Sequence, residues 1–98
     1  MKEIGVAIMG AGAVSREHAK AYLKNPHTRI IGVCSRREES AKRLVEELGL
    51  ECALYPNYEA LLSDDRVDAV SICMPNYLHA RLATQAARAR KHIVLEKP

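Results

Sequence analysis

Short apolar runs alternate with helix-period segments along the whole chain. This predicts an α/β protein: a doubly wound parallel sheet of about five strands, order 3-2-1-4-5, with helices on both faces. Three observations carry the prediction. Ile4-Gly5-Val6-Ala7-Ile8 is a continuous apolar run, as a strand buried on both faces of a parallel sheet requires. Directly behind it, Gly10-Ala11-Gly12-Ala13-Val14-Ser15 reads Gly-x-Gly-x-x-Ser, the dinucleotide fingerprint with its last glycine replaced. Further apolar runs then recur, each separated from the last by a helical pattern.

The elements follow in order. Ile4 to Met9 is the first strand. A helix from Arg16 to Lys24 is expected to turn Val14, His18, Ala19, Tyr22 and Leu23 inward, and Asn25-Pro26 ends it. Arg29 to Cys34 is the second strand. The second helix spans Arg36 to Leu48, with Ala41, Leu44, Val45 and Leu48 inward and Gly49 as its cap. Cys52-Ala53-Leu54 is a brief third strand, and Asn57 is placed to cap a short helix from Tyr58 to Ser63. Val67 to Cys73 is the fourth strand. Met74-Pro75-Asn76 is a loop, and a helix follows from Tyr77 to Ala89 or Arg90. Leu78, Leu82, Ala83 and Ala86 share its apolar face. His92 to Leu95 is the fifth strand. With this order it forms an apolar sheet edge, which predicts a homo-oligomer assembled through residues 92–95.

Composition narrows the function. The 98 residues suit one domain, and with 48% apolar and 28% charged residues the chain has an ordinary globular balance. The core must be aliphatic, because there is no Trp or Phe. A net charge of +3, without basic runs or aromatic platforms, argues against nucleic acid. No apolar run reaches the roughly 20 residues of a membrane span, and no leader pattern precedes the first strand. Cys34, Cys52 and Cys73 lack metal-ligand spacing, so no metal site is expected. Their odd number and apolar setting predict buried, reduced thiols in a cytoplasmic protein.

Ligands of a doubly wound sheet bind at the carboxyl ends of the strands. The loops there are Gly10–Ser15, Ser35–Arg37, Met74–Asn76 and Glu96–Pro98. Gly10 permits a tight turn, Gly12 lets a pyrophosphate approach the backbone, and the helix behind offers unpaired N–H groups. Ser35 stands where NAD-binding folds place an acidic residue for the ribose hydroxyls, and Arg36 and Arg37 follow it. A carboxylate would repel a 2′-phosphate, whereas serine and two guanidinium groups attract it, so NADP is expected, with NAD the alternative. A competing reading makes Ser35-Arg36-Arg37-Glu38 a capping box. That reading leaves two cations in a first helical turn, against the helix dipole. His79 is either a polar helix opener or part of the cofactor loop before it. His18, His27 and His92 predict packing or solvent roles. Lys97 is either a terminal lysine or an ammonium that holds a ribose hydroxyl or polarises a substrate oxygen.

The glycine fingerprint, Met74-Pro75-Asn76-x-x-His79, and Lys91-His92-Ile93-Val94-Leu95-Glu96-Lys97-Pro98 occur in one order. Together, over the whole chain, they resemble the N-terminal, Rossmann-like domain of the Gfo/Idh/MocA oxidoreductases. The resemblance implies NAD(P)-dependent hydride transfer to or from a sugar, cyclitol or related hydroxyl or carbonyl compound. It implies that Gly10, Gly12, Ala13, Val14 and Ser15 hold the pyrophosphate, and that the Ser35 position sets cofactor choice. It places Met74, Pro75, Asn76 and His79 on the nicotinamide side. Glu96 and Lys97 would reach the cofactor, with Lys97 catalytic, and Pro98 would follow a cis bond. Arg90 departs from the family, which often has glycine there. The resemblance also implies a sixth strand and a substrate domain beyond residue 98, so residues 1–98 would be an incomplete nucleotide-binding domain without turnover of its own. A stand-alone nucleotide-binding or assembly module is the rival reading. A methyltransferase-like binder is weaker, since it calls for an acid where Ser35-Arg36-Arg37 stands.

Overall fold

The computed structural model describes residues 3–95. Strand β1 (Ile4–Met9) leads through α1 (Ala13–Lys24) to β2 (Thr28–Cys34), and α2 (Glu38–Leu48) leads to β3 (Ala53–Leu54). Helix α3 (Tyr58–Leu62), β4 (Ala69–Ile72), a 3-10 turn (Asn76–Leu78), α4 (His79–Arg88) and β5 (His92–Leu95) complete the chain. The five strands form one parallel sheet in the order β3-β2-β1-β4-β5, as the alternation predicts. Among the described residues no helix is long and apolar enough to cross a membrane.

Two apolar layers follow from the side-chain alternation of the central strands. On one face Ile8, Ile30 and Val33 meet Ala19 of α1 and Ala41 and Leu44 of α2. On the other, Ala7, Val70 and Ile72 meet Leu61 of α3 and Leu82 and Ala86 of α4. Each helix thus buries its own stripe against strands that are covered on both sides.

Helix ends obey local chemistry. The Asn57 side chain accepts from the Ala60 N–H at 2.7 Å and caps α3. Gly49 closes α2 in the left-handed region at φ 61°, and Arg90 takes the same conformation after α4 at φ 62° without being glycine. That conformation costs a non-glycine residue about 1 kcal/mol or more.

Two expectations need correction. Helix α1 begins at Ala13, with Gly12 as N-cap, rather than at Arg16. Its buried positions are Ser15 and Ala19, with His18 and Tyr22 half-buried, whereas Val14 and Leu23 are 40% and 56% exposed. Ser15, at the position of the fingerprint's third glycine, is fully buried, in keeping with the close helix–strand packing of that position. Helix α2 begins at Glu38, with Arg37 as N-cap and no side-chain cap. The Ser35 hydroxyl donates to the Arg37 carbonyl instead, so the capping box does not form. The first turn of α2 carries Glu38 and Glu39, which suit the dipole, and the two arginines precede it.

Candidate functional site

The chain leaves β1 towards β2 and β3 on one side, and β4 and β5 flank it on the other. At this switch point the Gly10 N–H donates to the Cys34 carbonyl at 2.7 Å, and the Cys73 N–H donates to the Met9 carbonyl at 2.8 Å. The three strand ends are therefore locked side by side, and their loops open outwards together. A cleft of about 660 Å³ lies between them, lined by Gly10, Ala11, Gly12, Ser35, Arg36, Arg37, Ser40, Cys73, Met74 and Pro75.

The two loop glycines have different reasons. Gly10 sits at φ 121°, and a Cβ there would collide with the Cys73 carbonyl. The turn and the close pairing of β1 with the end of β4 both demand it. Gly12 sits at φ −92°, which any residue adopts, and a Cβ there would meet no heavy atom within 4 Å. Neither backbone conformation nor protein packing requires glycine at 12. The absent side chain leaves open room on the cleft wall beside the backbone. The first helical bond of α1 runs from the Arg16 N–H to the Gly12 carbonyl at 3.2 Å, so the N–H groups of Ala13, Val14 and Ser15 precede the helical ladder. These features fit an anionic pyrophosphate.

The opposite wall supplies cations. Arg36 and Arg37 are exposed and border the cleft, and among the described residues neither forms an ion pair. Ser35 is half-buried beside them. Ser40, in the first turn of α2, lines the same wall and adds a hydroxyl; sequence reading missed it, although it follows Arg37 by less than one turn.

On the third side, Met74 and Pro75 line the cleft, but Asn76 and His79 do not. Asn76 is exposed at the start of the 3-10 turn. The His79 Nε2 lies 2.7 Å from the Met74 carbonyl, and since a carbonyl only accepts, Nε2–H donates. His79 therefore braces the loop from behind. Ala13 and Val14 lie at the helix mouth. Ser15 is fully buried, so its side chain faces no ligand space, and its hydroxyl has no partner among the described residues. Glu96, Lys97 and Pro98 lie outside the described residues.

Beneath the cleft, polar groups tie α1 to β4. The buried Ser71 hydroxyl lies 3.0 Å from His18 Nδ1 and also bonds the Tyr22 hydroxyl. Burial pushes the Tyr22 phenol up, against the opposing effect of its bond to Ser71. Burial likewise pushes the Cys34 thiol up, which favours the inert protonated form.

Known proteins share this fold. The chain is 36% identical to a dTDP-3,4-didehydro-2,6-dideoxy-alpha-D-glucose 3-reductase of Streptomyces violaceoruber, a match covering 100% of this chain and 28% of that protein. A 3-ketoreductase of Actinomadura kijaniata, solved with NADP and TDP-benzene, superposes with a TM-score of 0.89 at 37% identity, over 99% of this chain and 30% of that one. A myo-inositol dehydrogenase of Lactobacillus casei, solved with NAD(H) and myo-inositol, superposes with a TM-score of 0.92 at 27% identity, over 98% of this chain and 29% of that one. The chain thus spans under a third of the length of these relatives. Residues 4–98 match the GFO_IDH_MocA oxidoreductase family in its NAD-binding Rossmann fold, and the chain belongs to that family.

Proposed function

We propose that the chain holds NADP(H) in the carboxyl-end cleft, as the nucleotide-binding part of an oxidoreductase acting on a sugar, cyclitol or related hydroxyl or carbonyl compound. One observation carries the reading: a glycine-lined helix mouth and the pair Arg36–Arg37 face the same 660 Å³ cleft. The first fits a pyrophosphate and the second a 2′-phosphate. Gly10, Gly12, Ala13, Val14 and the Ser15 backbone lie at the phosphates. Ser35, Arg36, Arg37 and Ser40 lie at the adenosine end, and Met74 and Pro75 lie towards the nicotinamide. When bound, the dinucleotide supplies the hydride acceptor or donor at its C4.

Lys97 is assigned the orientation of the reacting oxygen, and the substrate-binding domain is assigned to chain beyond these residues. The short span against the relatives supports that division. Cys34, Cys52 and Cys73 form no disulfide with one another, which agrees with a cytoplasmic setting. In the 98-residue chain, edge strand β5, with Val94 39% and Leu95 45% exposed, is assigned a self-association role. A clean monomer by light scattering at high concentration contradicts that last assignment.

Calorimetric titration with NADP and with NAD tests the cofactor assignment. NADP should bind more tightly. Replacing both Arg36 and Arg37 by Ala should weaken NADP about tenfold or more while sparing NAD. Clearly tighter NAD binding by the unaltered chain overturns the preference.

A further inference from the structure

Arg16 takes no part in the cleft wall, yet its guanidinium holds the glycine loop from behind. Nη1 donates to the Ala11 carbonyl at 2.8 Å and to the Gly12 carbonyl at 3.2 Å. Nε donates to Glu47 Oε2, in the last turn of α2, at 2.7 Å. One planar group thus joins two consecutive loop peptides to a second helix.

Peptide geometry gives this contact a consequence. In a trans peptide the C=O and N–H of one plane point in opposite directions. The Ala11 carbonyl shares its plane with the Gly12 N–H, and the Gly12 carbonyl with the Ala13 N–H. Drawing both oxygens back onto Arg16 turns both N–H groups the other way. It also neutralises two partial negative charges beside the wall that receives an anion. The Gly12 carbonyl is held twice, since the Arg16 backbone N–H also donates to it. Glu47 fixes the fork so that Nη1 stays on the loop. Its carboxyl is held below the ordinary range, chiefly by its hydrogen bond to Arg16, so the pair stays charged at neutral pH.

We propose that Arg16, oriented by Glu47, is a positioning residue for the dinucleotide pyrophosphate. It preorganises the Gly12 and Ala13 N–H groups as anion donors without touching the ligand. The inference rests on the dinucleotide reading given above and deepens it. Preorganisation acts by removing the ordering cost from the binding step. Its signature is therefore selective: a ligand with a pyrophosphate loses affinity, and one without it does not.

The test compares NADP with adenosine 2′-monophosphate, which keeps the 2′-phosphate and lacks the pyrophosphate. In Arg16→Gln the NADP dissociation constant should rise about tenfold, while that of adenosine 2′-monophosphate stays within about twofold. Arg16→Lys should recover part of the loss, because an ammonium still donates to carbonyls but cannot span both carbonyls and Glu47. Glu47→Gln should give a smaller loss of the same selectivity, and it carries the test should Arg16→Gln fail to fold. Unchanged NADP binding in Arg16→Gln, or equal loss of both ligands, overturns the proposal. Absence of binding of either ligand by the unaltered chain overturns the dinucleotide reading, and the proposal with it.

Discussion

The two ends of the sheet carry similar residues and treat them oppositely. At the amino ends of the strands, Asp68 Oδ2 accepts from the Gly5 N–H at 2.8 Å, and Lys91 Nζ donates to the Asp64 and Val67 carbonyls at 3.0 and 2.7 Å. Asp64 takes the Arg66 guanidinium on both oxygens and the Tyr55 hydroxyl on Oδ2 at 2.7 Å. The protein's own backbone and side chains engage those charges. At the carboxyl ends, Arg36 and Arg37 border an open cleft, and the first N–H groups of α1 precede its helical bonds. A cleft of about 540 Å³ exists at the amino end too, lined in part by Asp65, Asp68, Arg90 and Lys91. Cavity size therefore does not separate the two ends. What separates them is that Asp68 and Lys91 are already engaged by the backbone, whereas Arg36, Arg37 and the first N–H groups of α1 make no such bond among the described residues.

Three substitutions sharpen the contrast. Gly10→Ala should be the most damaging, on the order of 3 kcal/mol by urea unfolding, because φ 121° and the Cys73 carbonyl both exclude a Cβ. Gly12→Ala should cost less than about 1 kcal/mol of stability, since it places a methyl in open space at an N-cap. It should nevertheless weaken NADP binding about tenfold or more. Equal stability losses for the two glycines would break the distinction between a turn glycine and a ligand glycine.

At the opposite end, Lys91→Met keeps the stem and removes the ammonium from two carbonyls. It should cost about 2 kcal/mol and leave cofactor affinity unchanged. A loss of affinity without a loss of stability would mean that the amino end also serves the ligand.

Tyr58→Phe should cost about 1 kcal/mol, with no change in cofactor affinity, through loss of its 2.7 Å bond to the Leu82 carbonyl. Burial pushes the Tyr58 phenol up to about 12. The folded state then holds a proton that the unfolded chain releases near pH 10. Tyr58 therefore contributes stability that is intact below about pH 10 and lost as pH rises towards 12. The variant should lose less stability over that window than the unaltered chain. Asp64 works in the other direction. The Arg66 hydrogen bond, followed by that of Tyr55, holds its carboxyl well below the usual range against the effect of burial. Its contribution is present above about pH 4 and is lost as pH falls through the folded value.

Much of this was legible in the sequence, because local patterns encode it. The parallel order follows from strands and helices alternating around a glycine loop, and Gly49 and Asn57 announce their caps by residue type. The rest required three dimensions. Apolar periodicity pointed Val14 and Leu23 inward, but α1 starts three residues earlier and buries Ser15 instead. The spacing from Ser35 to Glu38 satisfies a capping box, yet Arg37 takes the N-cap and releases the arginines from the helix. Arg16 with Glu47, His18 with Ser71 and Lys91 with Val67 are 31, 53 and 24 positions apart, distances over which no local periodicity operates.

On this reading the carboxyl-end cleft, and not its amino-end counterpart, receives the dinucleotide. Backbone amide shifts recorded during an NADP titration of the 98-residue chain test it most directly. Saturable shifts are expected at residues 10–15, 35–40 and 73–74, with Gly5, residues 64–68 and Lys91 unmoved. Shifts centred on the amino end, or none at millimolar NADP, would contradict it.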